Sequence, residues 1–182
     1  MTTTERVPPA HTGRVRWRLV ALVLLAATAL GAGLWWWSHP RAFADYGAGL
    51  GAVAEIGETR YFGLANAPRD LEILEVRPLV ASDGADATVT AVVCVGAEDR
   101  GGVGIGSPEM VAGGCRSARE PGGRFTPDDQ LLVAVRGTSE GTVVVEGVAV
   151  TYRDGVQRGT EVLDYEIGAG FGLGIEIEDF VW

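Results

Sequence analysis

Cys94 and Cys115 are the residues of this chain whose type and spacing most directly imply chemistry. They are its only thiols, and on an oxidising side of a membrane two thiols are expected to bridge. The bridge closes a 22-residue loop, a constraint worth roughly 3 kcal/mol in the chain-entropy model. Arg116, Arg119 and Arg124 cluster in the same 33-residue stretch, 97–129, of an otherwise acidic region. Guanidinium forks match the planar oxygens of carboxylates and phosphates. The expectation is a loop, pinned by its disulfide, that contacts an anionic group on an envelope protein or polymer. The plainer alternative is a solvated loop whose arginines balance Glu98, Asp99, Glu109 and Glu120.

Other chemistry is constrained by which residue types are missing. His11 and His39, the only histidines, flank an apolar run and leave 41–182 with none, and the chain has no lysine. Ser-His-Asp, Cys-His, Schiff-base and Ser-Lys sites therefore have no partners to assemble from. Zinc would have to rely on carboxylates and the two cysteines, and no spaced acidic loop of EF-hand type is present. A carboxylate pair is the surviving catalytic option, with Asp128-Asp129 or Glu176, Glu178 and Asp179 as the residues it would use. Asp128-Asp129 reads as a turn after Pro127, and Glu176 and Glu178 as one solvated strand face. The expectation is no catalytic residue, no metal and no cofactor, with a carboxylate-based hydrolase as the alternative.

The element that must place all of this is Leu19 to Trp37, which carries no charge. As a helix its 19 residues are about 28 Å long, the thickness of a bilayer's hydrocarbon core. Arg6, Arg14, Arg16 and Arg18 precede it with only Glu5 against them, so the N-terminus is expected in the cytoplasm. Trp35, Trp36 and Trp37 are expected at the outer interface. The alternative is a cleaved signal peptide with Ala42-Phe43-Ala44 as its small-x-small site, giving a secreted domain that starts at Asp45.

The expected organisation is a cytoplasmic tail over 1–18, a transmembrane helix over 19–37, a Gly/Ala-rich spacer over 38–58 and an extracytoplasmic domain over 59–182. The spacer's Gly47-x-Gly49-x-Gly51 lacks the preceding strand and the lysine of a phosphate loop. Residues 41–182 hold eleven arginines against 23 acidic side chains, a net of −12. That balance excludes nucleic acid as a partner.

From Thr59 onward the apolar period is 2 and Val, Ile, Thr and Tyr are abundant. Seven strands are predicted: 60–64, 71–80, 87–95, 130–136, 142–152, 157–167 and 173–178, with the run from Gly168 to Gly172 as punctuation. Val143 and Val145, then Val148, Val150 and Tyr152, face one way only if an extra residue sits near Gly147, which predicts a β-bulge. Asp154-Gly155 predicts a hairpin between the fifth and sixth strands. Antiparallel strands with one wet face pair up as two sheets, an immunoglobulin-like β-sandwich, with a small barrel as the alternative. Cys94 falls on the face opposite Val89, Ala91, Val93 and Val95, so its bridge should staple a loop to the outside or to an edge.

Gly63 and Asn66 ahead of the Leu71 strand, Phe125-Thr126-Pro127 ahead of the Leu131 strand, and Gly147-Val148-x-Val150-x-Tyr152-Arg153-x-Gly155-x-x-Arg158-Gly159-Thr160 form a pattern. With the arginine-only, Ala/Gly/Val-rich composition, it resembles uncharacterised single-pass or secreted β-domain proteins of high-GC Gram-positive bacteria. The resemblance implies a fold and a location and carries no activity.

Overall fold

A computed structural model describes residues 12–38, 41–43, 48–97 and 102–175. The chain divides into two units, Met1–His39 and Pro40–Trp182. In the first, α1 (Thr12–Ser38) contains the span Val20–Trp37, long and apolar enough to cross a membrane.

The second unit is a β-sandwich of two sheets with eleven strands among the described residues. The first sheet is built on β9 (Gly141–Asp154). One edge of β9 pairs with β3 (Leu71–Asp83), which in turn pairs with β7 (Gly123–Phe125). The other edge is shared: β10 (Gln157–Leu163) takes Val148 to Asp154, and β11 (Tyr165–Phe171) takes Gly141 to Val145. The second sheet has the order β5 (Ile105–Gly106), β2 (Thr59–Gly63), β8 (Gln130–Arg136), β4 (Thr88–Val95), β6 (Ser117–Arg119).

The predicted bulge in β9 is present. Against β3, Pro78 faces Val148 and Val80 faces Val145, so two residues of β9, Glu146 and Gly147, oppose the single Leu79 of β3. Gly147 sits in the extra position at φ +153°, a region that L side chains rarely adopt. The extra residue keeps Val143, Val145, Val148, Val150 and Tyr152 all fully buried between the sheets. They pack there against Phe62, Val93, Leu131, Val133 and Val135 of the second sheet. The hairpin after β9 is also present, one position later than predicted: Asp154 pairs with Gln157, so the two-residue turn is Gly155-Val156. Gly155 has φ +59°, in the first loop position, where a type II′ turn takes glycine.

Several expectations are corrected. The spacer is partly strand: Ala48–Ala54 forms β1, which runs parallel to β11 from Ala48↔Tyr165 to Ala54↔Phe171. The sandwich is therefore not wholly antiparallel, and the domain begins before residue 59. Gly168 and Gly170 lie inside β11 rather than in a turn. Both errors share a cause: glycine and alanine have too little side chain to mark a strand's two faces. The predicted strand 157–167 breaks at Asp164, because the β9 bulge shifts the edge that it must follow. Leu173 and Gly174 form a turn after β11, while Glu176, Glu178 and Asp179 lie outside the described residues.

Residues 97–129 were expected to be one long connection, yet the described part holds β5, α2 (Pro108–Gly114), β6 and β7. Their repeats are too short for a period to show. Pro108 opens α2, where its missing N–H costs nothing, and Val111 is its buried side chain. Cys94 and Cys115 are disulfide-bonded, with Cα atoms 5.2 Å apart. With Ala97, Val103, Val111 and Leu132 they form a second small core on the outer face of the second sheet. That face is consequently not wet: β8 buries Leu132 and Ala134 as well as Leu131, Val133 and Val135.

Candidate functional site

The three arginines of 97–129 do not form one cluster. Arg119, on β6, donates to the carbonyl oxygens of Glu120, Gly122 and Arg124, which ties the turn between β6 and β7 together. The guanidinium of Arg116 lies over Gly96, which is held at φ +65°. Arg124, on β7, is well exposed and pairs with Asp70 at 2.6 Å.

Arg124 also belongs to a row that crosses the outer face of the first sheet. In register from one edge to the other stand Arg158 on β10, Arg153 on β9, Glu72 on β3 and Arg124 on β7. Adjacent strands lie about 4.8 Å apart, so three guanidinium groups and one carboxylate fall on a line across four strands. Arg153 donates to Glu72 at 2.8 Å with both half exposed. Arg158 has no ion pair among the described residues and faces Arg153 directly, a like-charge pairing that costs a sheet stability. Thr151 and Thr160, joined at 3.0 Å, lie one outward-facing position along the same two strands. Reading the stretch 97–129 alone missed Arg153 and Arg158. Their positions flanking the Gly155-Val156 turn were the available signal, since such residues must face each other.

The carboxylates proposed for hydrolysis are placed differently. Asp129 is buried and accepts from the N–H of Gly96 at 3.1 Å and of Thr126 at 2.9 Å. Its own N–H donates to the Thr126 carbonyl. It thus closes the turn before β8, as the sequence suggested. Glu109, which is not one of those carboxylates, accepts from the Ser107 hydroxyl, which holds its carboxyl below the usual range, the direction opposite to that of a general acid. Among the described residues no group of three or more His, Cys, Asp or Glu gathers to hold a metal.

A second polar centre lies at the first sheet's edge. The fully buried Tyr152 donates its hydroxyl to the Glu161 carboxylate across the β9–β10 pair. Burial, followed by that hydrogen bond and the carboxylate's charge, pushes the phenol well above its ordinary value. The sign follows from linkage: the unfolded phenol ionises near pH 10 while the folded one stays neutral. The stability this contributes is whole below about pH 10 and is lost as the pH climbs toward the folded value. Denaturant titrations at pH 8 and pH 10.5 are expected to show stability falling in the native chain and falling less in Tyr152→Phe. Equal slopes would mean that another group governs alkaline unfolding.

No protein-family model and no curated protein matches the chain. Among solved structures, a family 123 glycoside hydrolase from Clostridium perfringens is similar over 66% of this chain, at 8% identity and a TM-score of 0.32. The similar part spans 22% of that enzyme's length.

Proposed function

We propose that this protein is a membrane-anchored binding module whose extracytoplasmic sandwich presents the outer face of its first sheet to an anionic group of an envelope partner or polymer. The apolar span Val20–Trp37 in α1 supports the anchor, and the Cys94–Cys115 bridge fits an oxidising compartment. With Arg6, Arg14, Arg16 and Arg18 ahead of the span, the positive-inside rule puts the N-terminus in the cytoplasm.

The observation that carries the binding reading is the register row Arg158, Arg153, Glu72, Arg124. In a domain of net charge −12 it sets three cations and one anion in line across four strands. Arg158 opposite Arg153 is a choice that the fold does not need. An anion lying along the row would offset that repulsion and supply acceptors to forks that Glu72 and Asp70 only partly occupy.

Two measurements test this. External protease is expected to remove the sandwich from intact cells while an N-terminal tag stays protected. Digestion of the tag from outside would reverse the topology. For the face, the full-length protein in detergent is presented to immobilised polyphosphate and polyglutamate at rising salt. Replacing Arg124, Arg153 and Arg158 together by glutamine is expected to weaken retention at least tenfold. Arg158→Thr alone is expected to raise stability by about 0.5 kcal/mol while weakening retention. Retention that is unchanged in the triple variant would remove this face from the reading.

A further inference from the structure

Arg41, Ala42 and Phe43 immediately follow 39–40 and precede the first strand of the domain, and the three are held as though they were a bound peptide. Ala42 and Phe43 are buried, at 1% and 6% exposure. The Phe43 ring meets Tyr152 edge-on at 5.8 Å and Phe125 at 6.2 Å between centroids. The N–H groups of Ala42 and Phe43 both donate to the Glu161 carboxylate, the second at 3.1 Å, and the same carboxylate accepts the Tyr152 hydroxyl. Arg69, which is paired with Asp154 at 2.6 Å, donates at 3.2 Å to the Arg41 carbonyl. One side chain thus satisfies two backbone donors, and an aromatic ring fills the core, in a stretch with no strand of its own.

We infer that 41–43 is a strap built into the sandwich, seated in a slot made by Glu161, Tyr152, Phe125 and Arg69. The Ala42-Phe43-Ala44 sequence is therefore not a processing site in the native protein. Ala44 itself lies outside the described residues, but cleavage after it would release a domain beginning at Asp45. That domain would lack Phe43, leaving Phe125 and Tyr152 beside an unfilled space and Glu161 without its two backbone donors. A small-x-small sequence whose middle residue is a core side chain belongs to the fold. Retention of the strap keeps the sandwich covalently joined to α1. This inference deepens the membrane-anchored reading and rests on it.

The test uses the full-length protein made in its own host and purified in detergent. Intact-mass measurement is expected to show 41–43 retained, and Phe43→Ala to lower the melting temperature by about 5 °C or more. Glu161→Gln, which keeps the shape but weakens the acceptor, is expected to lower it by less. A mature protein with Asp45 at its N-terminus overturns the inference, as does a Phe43→Ala protein that melts like the native one. Failure of the anchoring reading looks different: the strap is retained and Phe43→Ala is destabilising, yet the uncleaved protein washes off membranes in alkaline carbonate without detergent.

Discussion

Replacing Gly63 by alanine is expected to destabilise the sandwich by roughly 3 kcal/mol, at the upper end of what one added carbon costs in a packed interior. An added Cβ would stand 1.7 Å from the Val103 carbonyl oxygen and 2.6 Å from Gln130 Nε2. Neither neighbour can yield cheaply. Gln130 uses both ends of its amide on Val103, accepting its N–H at 2.8 Å and donating to its carbonyl at 2.9 Å. The Gly63 N–H also donates to the Gly104 carbonyl at 2.6 Å. The methyl must therefore push 102–104 off the edge of β2, taking Val103 out of the second core. Urea titration followed by tryptophan-independent circular dichroism would measure the loss. Amide exchange is expected to rise first at Val103, Gly104 and Cys115. Exchange rising evenly through β9 instead would show that the second core does not open separately.

The second large effect is expected from the disulfide. Replacing Cys94 and Cys115 together by alanine removes a bridge across 21 positions, a loss of about 3 kcal/mol. The thiols are at 0% and 3% exposure between Leu132, Val103 and Val111, so their volume is lost as well as their link. A denaturant midpoint that falls by that amount, with β-sheet dichroism kept in water, is the expected result. The sandwich core on the other face of β4 and β8 does not use these residues. Reduction of the native protein, which breaks the link but keeps both sulfurs in place, is expected to give a smaller shift in the same direction. An unchanged midpoint in both would mean that the packing of α2, rather than the link, holds 102–115 in place.

The sandwich was legible in the sequence because strands such as β8 and β9 alternate large apolar side chains. In Val143, Val145, Val148, Val150 and Tyr152 the slip of the alternation even located the bulge. Where side chains were small the reading failed: Ala48–Ala54 and the glycine-bearing part of β11 after Ile167 gave no period, so a parallel pair between the two ends of the domain was invisible. The same limit hid β5, α2, β6 and β7, which are too short to repeat a pattern. The candidate face was half legible. The chemistry of arginine pointed to anions, but only the pairing of β10, β9, β3 and β7 decided which arginines share a line.

By itself the sequence determined where charge and apolar length lie along the chain: an uncharged helix of bilayer length, a basic stretch ahead of it and an acidic, lysine-free, β-patterned remainder with two cysteines. These are properties of composition and short-range period, which need no partner to be expressed. The tertiary structure decided everything that depends on residues distant in the chain. It gave Phe43 a place between Tyr152 and Phe125, more than 80 positions away, and so made Ala42 and Phe43 part of the core. It also committed Arg119 to the carbonyls of its own hairpin and set Arg153 beside Arg158 and Glu72. A guanidinium or a phenyl ring has the same chemistry wherever it sits, and its role depends on what folding brings within a few ångströms of it.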